Sequence, residues 1–275
     1  VTYIAKTNNI DQQNLTKPGT SEGKTVLLIY DIQTMKNLGF NMIRKHVKVE
    51  TARWYYHCDR LGMIVWQDMV NGGTYNAPFM TWLPALFPKF KLHTSDRIHP
   101  LFGRKNVHGR EEFIRECKET VTALKAFPCI STWVIFNEGW GQFDSKKLTA
   151  LFRELDDTRL IDSASGWFDR RQGDFKSEHN YFAKQFVTPS DRAFVISEYG
   201  GYTCQVKGHT CSGKTYGYKI CSSQEEFQAA YHKLISEEID PLKEQGLCGA
   251  VYTQLSDIED EINGLMTYDR EVCKL

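Results

Sequence analysis

What most constrains this chain is an alternation: short unbroken apolar runs, each followed by a segment with helical periodicity. Phe40 to Ile43 is the first clear run, entered through Gly39. A helix follows over Glu50 to Leu61, with Gly62 where a left-handed C-terminal cap is needed. Met63 to Trp66 reads as the next strand and runs into Gln67-Asp68. Strands buried on both faces read as continuous apolar runs, and strands alternating with helices imply βαβ units and a parallel sheet.

The rhythm continues downstream. A helix over Arg110 to Phe127 sets Phe113, Cys117, Val121 and Leu124 on one face. Ser131 to Phe136 is a β-branched and aromatic strand. Leu148, Leu151, Phe152 and Leu155 mark another amphipathic helix, and Leu160-Ile161 and Phe194 to Ile196 read as strands. Ser223 with Glu226 is a capping-box signal for a helix to about Ile239, with Phe227, Ala230, Tyr231, Leu234 and Ile235 inward. Gly249 to Leu255 is the last strand. Thr2 to Ile4 and His179 to Phe182 are weaker strand candidates, and with them the strands number enough to close an α/β barrel of the (β/α)8 TIM type. No repeat, low-complexity tract or linker interrupts the chain, so residues 1–275 are expected to form a single domain, least defined over 1–29.

The chain has 275 residues and a formal net charge of zero. Balanced charge argues against a dedicated nucleic-acid binder, which needs surplus Lys and Arg for phosphates. No apolar run approaches a membrane span, so no membrane partner is expected. The first residues carry no signal-peptide pattern and no initiating Met, which suggests a mature or truncated form. Cys58, Cys117, Cys129 and Cys248 sit in apolar segments and read as core hydrophobes. Cys204, Cys211 and Cys221 share a polar stretch of no standard zinc spacing and read as free thiols first, one local disulfide second.

Met69 to His108 breaks the rhythm. It holds Pro78, Pro84, Pro88 and Pro100, and Tyr75, Phe79, Trp82, Phe87 and Phe90 make it too apolar for disorder. Following a strand, it is placed to wall one side of a site at the C-terminal mouth. His93, Asp96 and His99 within it read as solvated loop residues, and no metal site is expected.

Three polar clusters close predicted strands: Arg44-Lys45-His46, Asn137-Glu138 before Gly139-Trp140-Gly141, and Ser197-Glu198-Tyr199 before Gly200-Gly201. Barrel enzymes keep their catalytic groups at such strand ends. Glu138 and Glu198 on different strands would meet at one mouth. Two carboxylates at one cleft suit glycoside hydrolysis, one protonating the leaving oxygen and one attacking the anomeric carbon. Arg44 would stabilise one carboxylate, Asn137 would bond a sugar hydroxyl and Trp140 would stack on a sugar ring.

These motifs resemble glycoside hydrolase family 2. Gly39 to Glu50 is similar to its second barrel strand, as is Trp54 to Gly62 leading to Val65-Trp66-Gln67-Asp68. Trp133 to Trp140 resembles the family's acid/base signature, and Ile196 to Gly201 its nucleophile strand. Tyr252 to Asp257 and Asn263 to Asp269 resemble the closing segment of its bacterial members. The resemblance runs from about Tyr30 to Arg270.

It implies a TIM barrel and a retaining exo-β-glycosidase of the β-galactosidase kind, with no cofactor and a carbohydrate substrate. Glu138 would be the acid/base and Glu198 the nucleophile. Arg44, His46, Asp68, Asn137, Trp140, His179, Asn180 and Tyr199 would contact the sugar or support those that do. Family members usually carry N-terminal β-sandwich domains, for which the chain has no room. The Asn-x-Lys pair used for glucuronides is not evident, which weighs against those substrates. An endo-β-glycanase of the mannanase or cellulase kind, or a non-catalytic carbohydrate-binding barrel, are the competing readings.

Overall fold

A computed structural model describes residues 2–7, 21–76, 78–82, 95–211, 213 and 215–275. Its strands are β1 (Thr2–Thr7), β2 (Met42–Lys45), β3 (Ile64–Asp68), β4 (Ile130–Val134), β5 (Leu160–Asp162), β6 (Phe175–Asn180), β7 (Ala193–Gly200), β8 (Tyr202–Cys204), β9 (Lys219–Cys221) and β10 (Leu247–Thr253). The helices are α1 (Ser21–Asn37), α2 (Ala52–Leu61), α3 (Val107–Leu124), α4 (Ser145–Leu155), α5 (Gln224–Lys233) and α6 (Asp240–Lys243).

Eight strands hydrogen-bond in the order β5-β4-β3-β2-β1-β10-β7-β6, every neighbouring pair parallel. At the ends of that order, a bridge between Asp162 and Gly173 and the bond from Asp174 N to Ile161 O (2.8 Å) draw β5 towards the segment entering β6. The architecture is a TIM barrel. β8 and β9 form a small separate parallel pair above it.

The two-residue period of the strands sorts side chains into an inner and an outer layer. Met42, Trp66, Val134, Phe175, Val195 and Val251, one from each of six strands, pack together inside the barrel. Ile43, Val65, Trp133, Ile161, Ile196 and Tyr252 face outward and join the larger core under the helices. There α3 buries Phe113, Cys117, Val121 and Leu124, the face expected from its periodicity. Gly62 closes α2 at φ 64°, a left-handed cap that costs a glycine little. Ser223 Oγ accepts the Glu226 N–H at 3.2 Å as the N-cap of α5. The Glu226 carboxylate completes the start of the helix on Ser222 rather than on Ser223 N–H. Beyond Lys233 the helix widens into a π-helical turn, Leu234–Ile239.

Some expectations need correcting. α1 was not foreseen, although Leu28, Ile32 and Met35 stand at helical spacing and are buried. The segment 8–20 lies outside the described residues, as do His93 and the aromatics Phe87 and Phe90. Cys248 is exposed, because β10 turns it away from the core that its neighbours Leu247 and Gly249 enter. All eight cysteines are free thiols, and Cys204 and Cys221 stand opposite each other across β8 and β9. Asp96 is buried rather than solvated. Its Oδ2 accepts the Ser145 N–H at 2.9 Å, capping α4 from a distance. The helix's own N-cap, Asp144, sits in a left-handed conformation and makes no side-chain cap bond.

Candidate active site

The site is built on the residues one inward step above the barrel's apolar layer. Arg44 lies two beyond Met42, Asp68 two beyond Trp66, and His179 four beyond Phe175, so all three point inward. Lys45 points the other way and pairs with Glu50 at 2.5 Å.

Arg44 organises the centre. It is fully buried, and all five of its N–H groups have acceptors. Nε and Nη2 hold Asp68 as a two-pronged pair at 2.9 and 2.8 Å, and Nη2 also donates to Asn137 Oδ1 at 2.9 Å. Nη1 donates to Glu198 Oε1 at 3.0 Å and to Ser197 O at 3.2 Å. Burial opposes the guanidinium's charge, but Asp68 and Glu198 outweigh it and hold its pKa above the ordinary value. Asp68 shows the reciprocal balance. Burial would raise its pKa, but Arg44 and then His46 hold it below the usual carboxylate range. His46 Nδ1 lies 3.3 Å from Asp68 Oδ2 and 3.8 Å from Glu198 Oε1.

A bulge delivers Glu198. The register of β7 slips against both neighbours, between Glu178 and His179 on β6 and between Ala250 and Tyr252 on β10. The inserted residue lets Ser197 and Glu198 both face inward, whereas strict alternation would turn Glu198 out beside Ile196. Tyr199 is consequently outside. Its ring packs edge-on to Tyr252 at 5.6 Å within the outer core, which corrects its placement as a sugar contact.

Glu138 reaches the same centre from the end of β4. Its backbone is left-handed (φ 53°), rare for a side-chain-bearing residue, and its N–H is held by Ser165 O at 2.9 Å. Glu138 Oε1 lies 2.7 Å from His179 Nδ1, which is 3.6 Å from Glu198 Oε2. Carboxylate oxygens of Glu138 and Glu198 approach within 4.8 Å. Glu138 keeps 28% of its side chain exposed, whereas Glu198 keeps 1%. One glutamate meets solvent and the other is enclosed. The Glu138, His179 and Glu198 trio is compact enough for a cation, but the ring nitrogen facing the carboxylates is already hydrogen-bonded to one of them.

Two further placements differ from expectation. Asn180 turns away: Oδ1 accepts Ala183 N–H and Nδ2 donates to Lys184 O, so its amide shapes a turn. Trp140 donates its indole N–H to Gly73 O (3.2 Å) and stands edge-on to Tyr75, a wall of the mouth. That wall continues through Met80, Phe102 and Phe168, where the loop after β3 packs on the loop after β5.

The sequence reading missed Tyr181. Its O–H donates to Glu198 Oε2 and lies 3.0 Å from Thr253 Oγ1. Burial, and then the Glu198 charge, raise its pKa well above the phenol range, so it stays a donor. Tyr218 stacks on it at 3.8 Å. A cavity of about 480 Å³ opens beside this pair, between Tyr202 and Glu238, and neither Glu138 nor Glu198 lines it. Thr253 closes a strand that had been foreseen, so its position was available. Tyr181 follows a strand end whose boundary was uncertain. Trp167, 6.0 Å from the His179 ring, was also missed.

The sequence pattern of glycosyl hydrolases family 2, TIM barrel domain, matches residues 19–274. The chain belongs to that family. A β-galactosidase from Priestia megaterium (strain DSM 319 / IMG 1521) is 24% identical over 211 residues, 70% of this chain and 17% of that protein. Among solved structures, a β-D-glucuronidase from Dictyoglomus thermophilum superposes with a TM-score of 0.62 at 15% identity, over 98% of this chain and 48% of that one. A β-galacturonidase from Eisenbergiella tayi bound to galacturonate gives 0.61 at 16% identity, over 91% and 47%. The chain thus spans less than half the length of these relatives. Among the described residues no helix is long and apolar enough to cross a membrane.

Proposed function

We propose that this family 2 barrel is a retaining exo-β-glycosidase, β-galactosidase-like, with Glu198 as nucleophile and Glu138 as acid/base. The observation that carries the reading is the meeting of the two glutamates within 4.8 Å. Retaining enzymes hold their carboxyl groups roughly 5–5.5 Å apart, inverting ones about 6.5–9.5 Å, to admit a water.

Each glutamate is equipped for a different task. Glu198 has a donor on each oxygen, Arg44 on Oε1 and Tyr181 on Oε2, which fixes its orientation and favours its charge. It attacks the anomeric carbon as the glycosidic bond breaks. Glu138 gives its proton to the departing oxygen and takes one back from the water that cleaves the glycosyl-enzyme ester. The 2.7 Å contact with His179 gives Glu138 a partner that shares that proton. Asn137, His46 and Trp140 line the approach and supply donors, acceptors and a ring for a hydroxylated, uncharged sugar.

The test is turnover of a panel of nitrophenyl β-glycosides by the full chain, with Glu198→Ala and Glu138→Ala beside it. Azide should trap an inverted glycosyl azide with Glu198→Ala and a retained one with Glu138→Ala. No turnover above background across the panel would sink the reading. Polymer cleavage yielding internal oligosaccharides would move it to an endo-acting enzyme.

A further inference from the structure

Asp162 closes β5 and is 1% exposed, yet neither carboxyl oxygen has a hydrogen-bond partner among the described residues. Its neighbour Ile161 faces the outer core, so Asp162 faces the barrel interior. A buried carboxylate without a partner is costly, and such a group avoids its charge by keeping a proton.

The groups around it explain why no partner answers. From β2 comes Arg44, whose five donors are all engaged elsewhere. From β3 comes Asp68, a like charge, and from β6 the His179 ring. β4 places Val134 in the interior, which does not titrate. Beyond β5, Asp174 is turned onto Arg153 at 2.6 Å. Ser177 is near enough to act as a weak donor that lowers the Asp162 pKa, but its hydrogen bond of ordinary length goes to Ser197 Oγ at 2.6 Å.

That serine begins a continuous path. Ser197 Oγ also accepts from Ser165 Oγ at 2.9 Å, and Ser165 Oγ lies 3.1 Å from His179 Nε2. His179 Nδ1 lies 2.7 Å from Glu138 Oε1. Buried hydroxyls thus run from beside Asp162 to the far nitrogen of the ring that holds Glu138.

We propose that Asp162 is a positioning residue, a second proton-holding group that sets through Ser177, Ser197, Ser165 and His179 whether the shared proton rests on Glu138. This deepens the glycosidase reading and rests on Glu138 being the acid. A neutral Asp162 can donate to Ser177 Oγ, which leaves the Ser177 and Ser165 protons on Ser197. Ser165 then accepts from His179 Nε2–H, so Nδ1 is an acceptor and the proton stays on Glu138. An ionised Asp162 turns the Ser177 O–H towards itself, and Ser197 then donates to Ser177 while Ser165 still donates to Ser197. This row of dipoles from His179 Nε2–H to the carboxylate favours positive charge on His179, which draws the proton from Glu138 to Nδ1. Asp162 gives its own proton to solvent as it ionises, one proton moves between Oε1 and Nδ1, and no other group changes its count. Burial first, and Asp68 next among the raising causes, put the Asp162 carboxyl at about 6, so the switch falls within the working range of such a site.

The experiment is a pH profile of kcat/KM for the full chain on two substrates of one sugar. One has an alkyl leaving group that needs a proton, and the other a dinitrophenyl group that does not. With Asp162→Asn, fixed neutral, the alkaline limb on the alkyl glycoside should move up by about one pH unit, the coupling expected of interacting sites. The dinitrophenyl limb should stay in place. Ser197→Ala should also move only the alkyl limb. An unmoved alkyl limb, or equal shifts on both substrates, overturns the proposal. Should Asp162→Asn not fold, the His179 ring ¹⁵N shifts of the parent decide. Two inflections support the coupling, and a single one overturns it. Glu138→Gln separates the two levels. If it cleaves alkyl glycosides as the parent does, the acid assignment falls. If it is silent on them while the Asp162→Asn limb stays put, only the present inference falls.

Discussion

Replacing Arg44 with methionine keeps a flexible stem of similar reach and removes the charge that joins four strand ends. Asp68 and Glu198, each 1% exposed, would then remain in the interior without their guanidinium. Breaking a buried pair by deleting one partner costs about 3–5 kcal/mol, because the remaining charge is uncompensated. At roughly 2–4 °C per kcal/mol for a chain of this size, that is a fall of about 10 °C in Tm. The pH dependence gives a sharper signature. In the parent, Asp68 has a depressed folded pKa, so its contribution is present above the unfolded value and lost as pH falls. In the variant, burial acts without Arg44 and the folded pKa moves above the unfolded one. The penalty is then full at neutral pH and relieved as pH falls, by about 1.4 kcal/mol per unit for one carboxyl. The difference between parent and variant should therefore narrow from pH 7 towards pH 5. Denaturant unfolding of both proteins at the two pH values measures it. A difference below about 1 kcal/mol at pH 7, or one unchanged at pH 5, would refute the reasoning.

Other outcomes follow from single residues. Asp162→Asn should stabilise the fold above pH 6, because the parent's carboxyl, raised from 3.8 to about 6, must ionise there while buried. The gain is about 3 kcal/mol at most and fades as pH falls from 6 to below 4, where the parent's carboxyl is protonated folded or unfolded, and a denaturation series across that range reads it. Tyr181→Phe removes the donor on Glu198 Oε2, worth about 1.5–3 kcal/mol for a bond to a charged group, so kcat/KM should drop about 10–100-fold with the fold retained. A loss under about twofold would leave Tyr181 without a role. Gly166→Ala adds a Cβ 2.6 Å from the His179 ring at φ 87°, so melting temperature and turnover should fall together.

Arg44 and Asp68 were legible because β2 and β3 obey strict alternation: an apolar inward residue is followed two positions later by an inward polar one. The same rule would have failed on β7. Reading Ser197-Glu198-Tyr199 as a polar strand end placed both Glu198 and Tyr199 in the site. A bulge, which no local pattern announces, decided between them. Asn180 failed for another reason. A short amide at a strand end can serve the next turn or the site, and Ala183 N–H claimed it. Helix α1 has a readable face in Leu28, Ile32 and Met35, but Gly23 in its first turn lowers the helix propensity of its start.

The polar residues the sequence hid are those whose meaning depends on partners from other strands. Asp162, Ser165, Ser177 and Ser197 are unremarkable in their own segments. They come from β5, the loop behind it, β6 and β7, and only the closed barrel sets them in one chain of hydroxyls under His179. Buried serines are tolerable there because each finds another hydroxyl or a carbonyl, whereas an isolated one would be destabilising by about 1–3 kcal/mol. Asp162 is the exception in that network, buried without a hydrogen-bond partner among the described residues. A barrel interior could fill that position with an apolar side chain at lower cost, as it does at Val134 and Val251. The acid's presence inside the barrel, near Asp68 and His179, is therefore poorly explained by stability, and chemistry at the mouth is the consideration left to account for it.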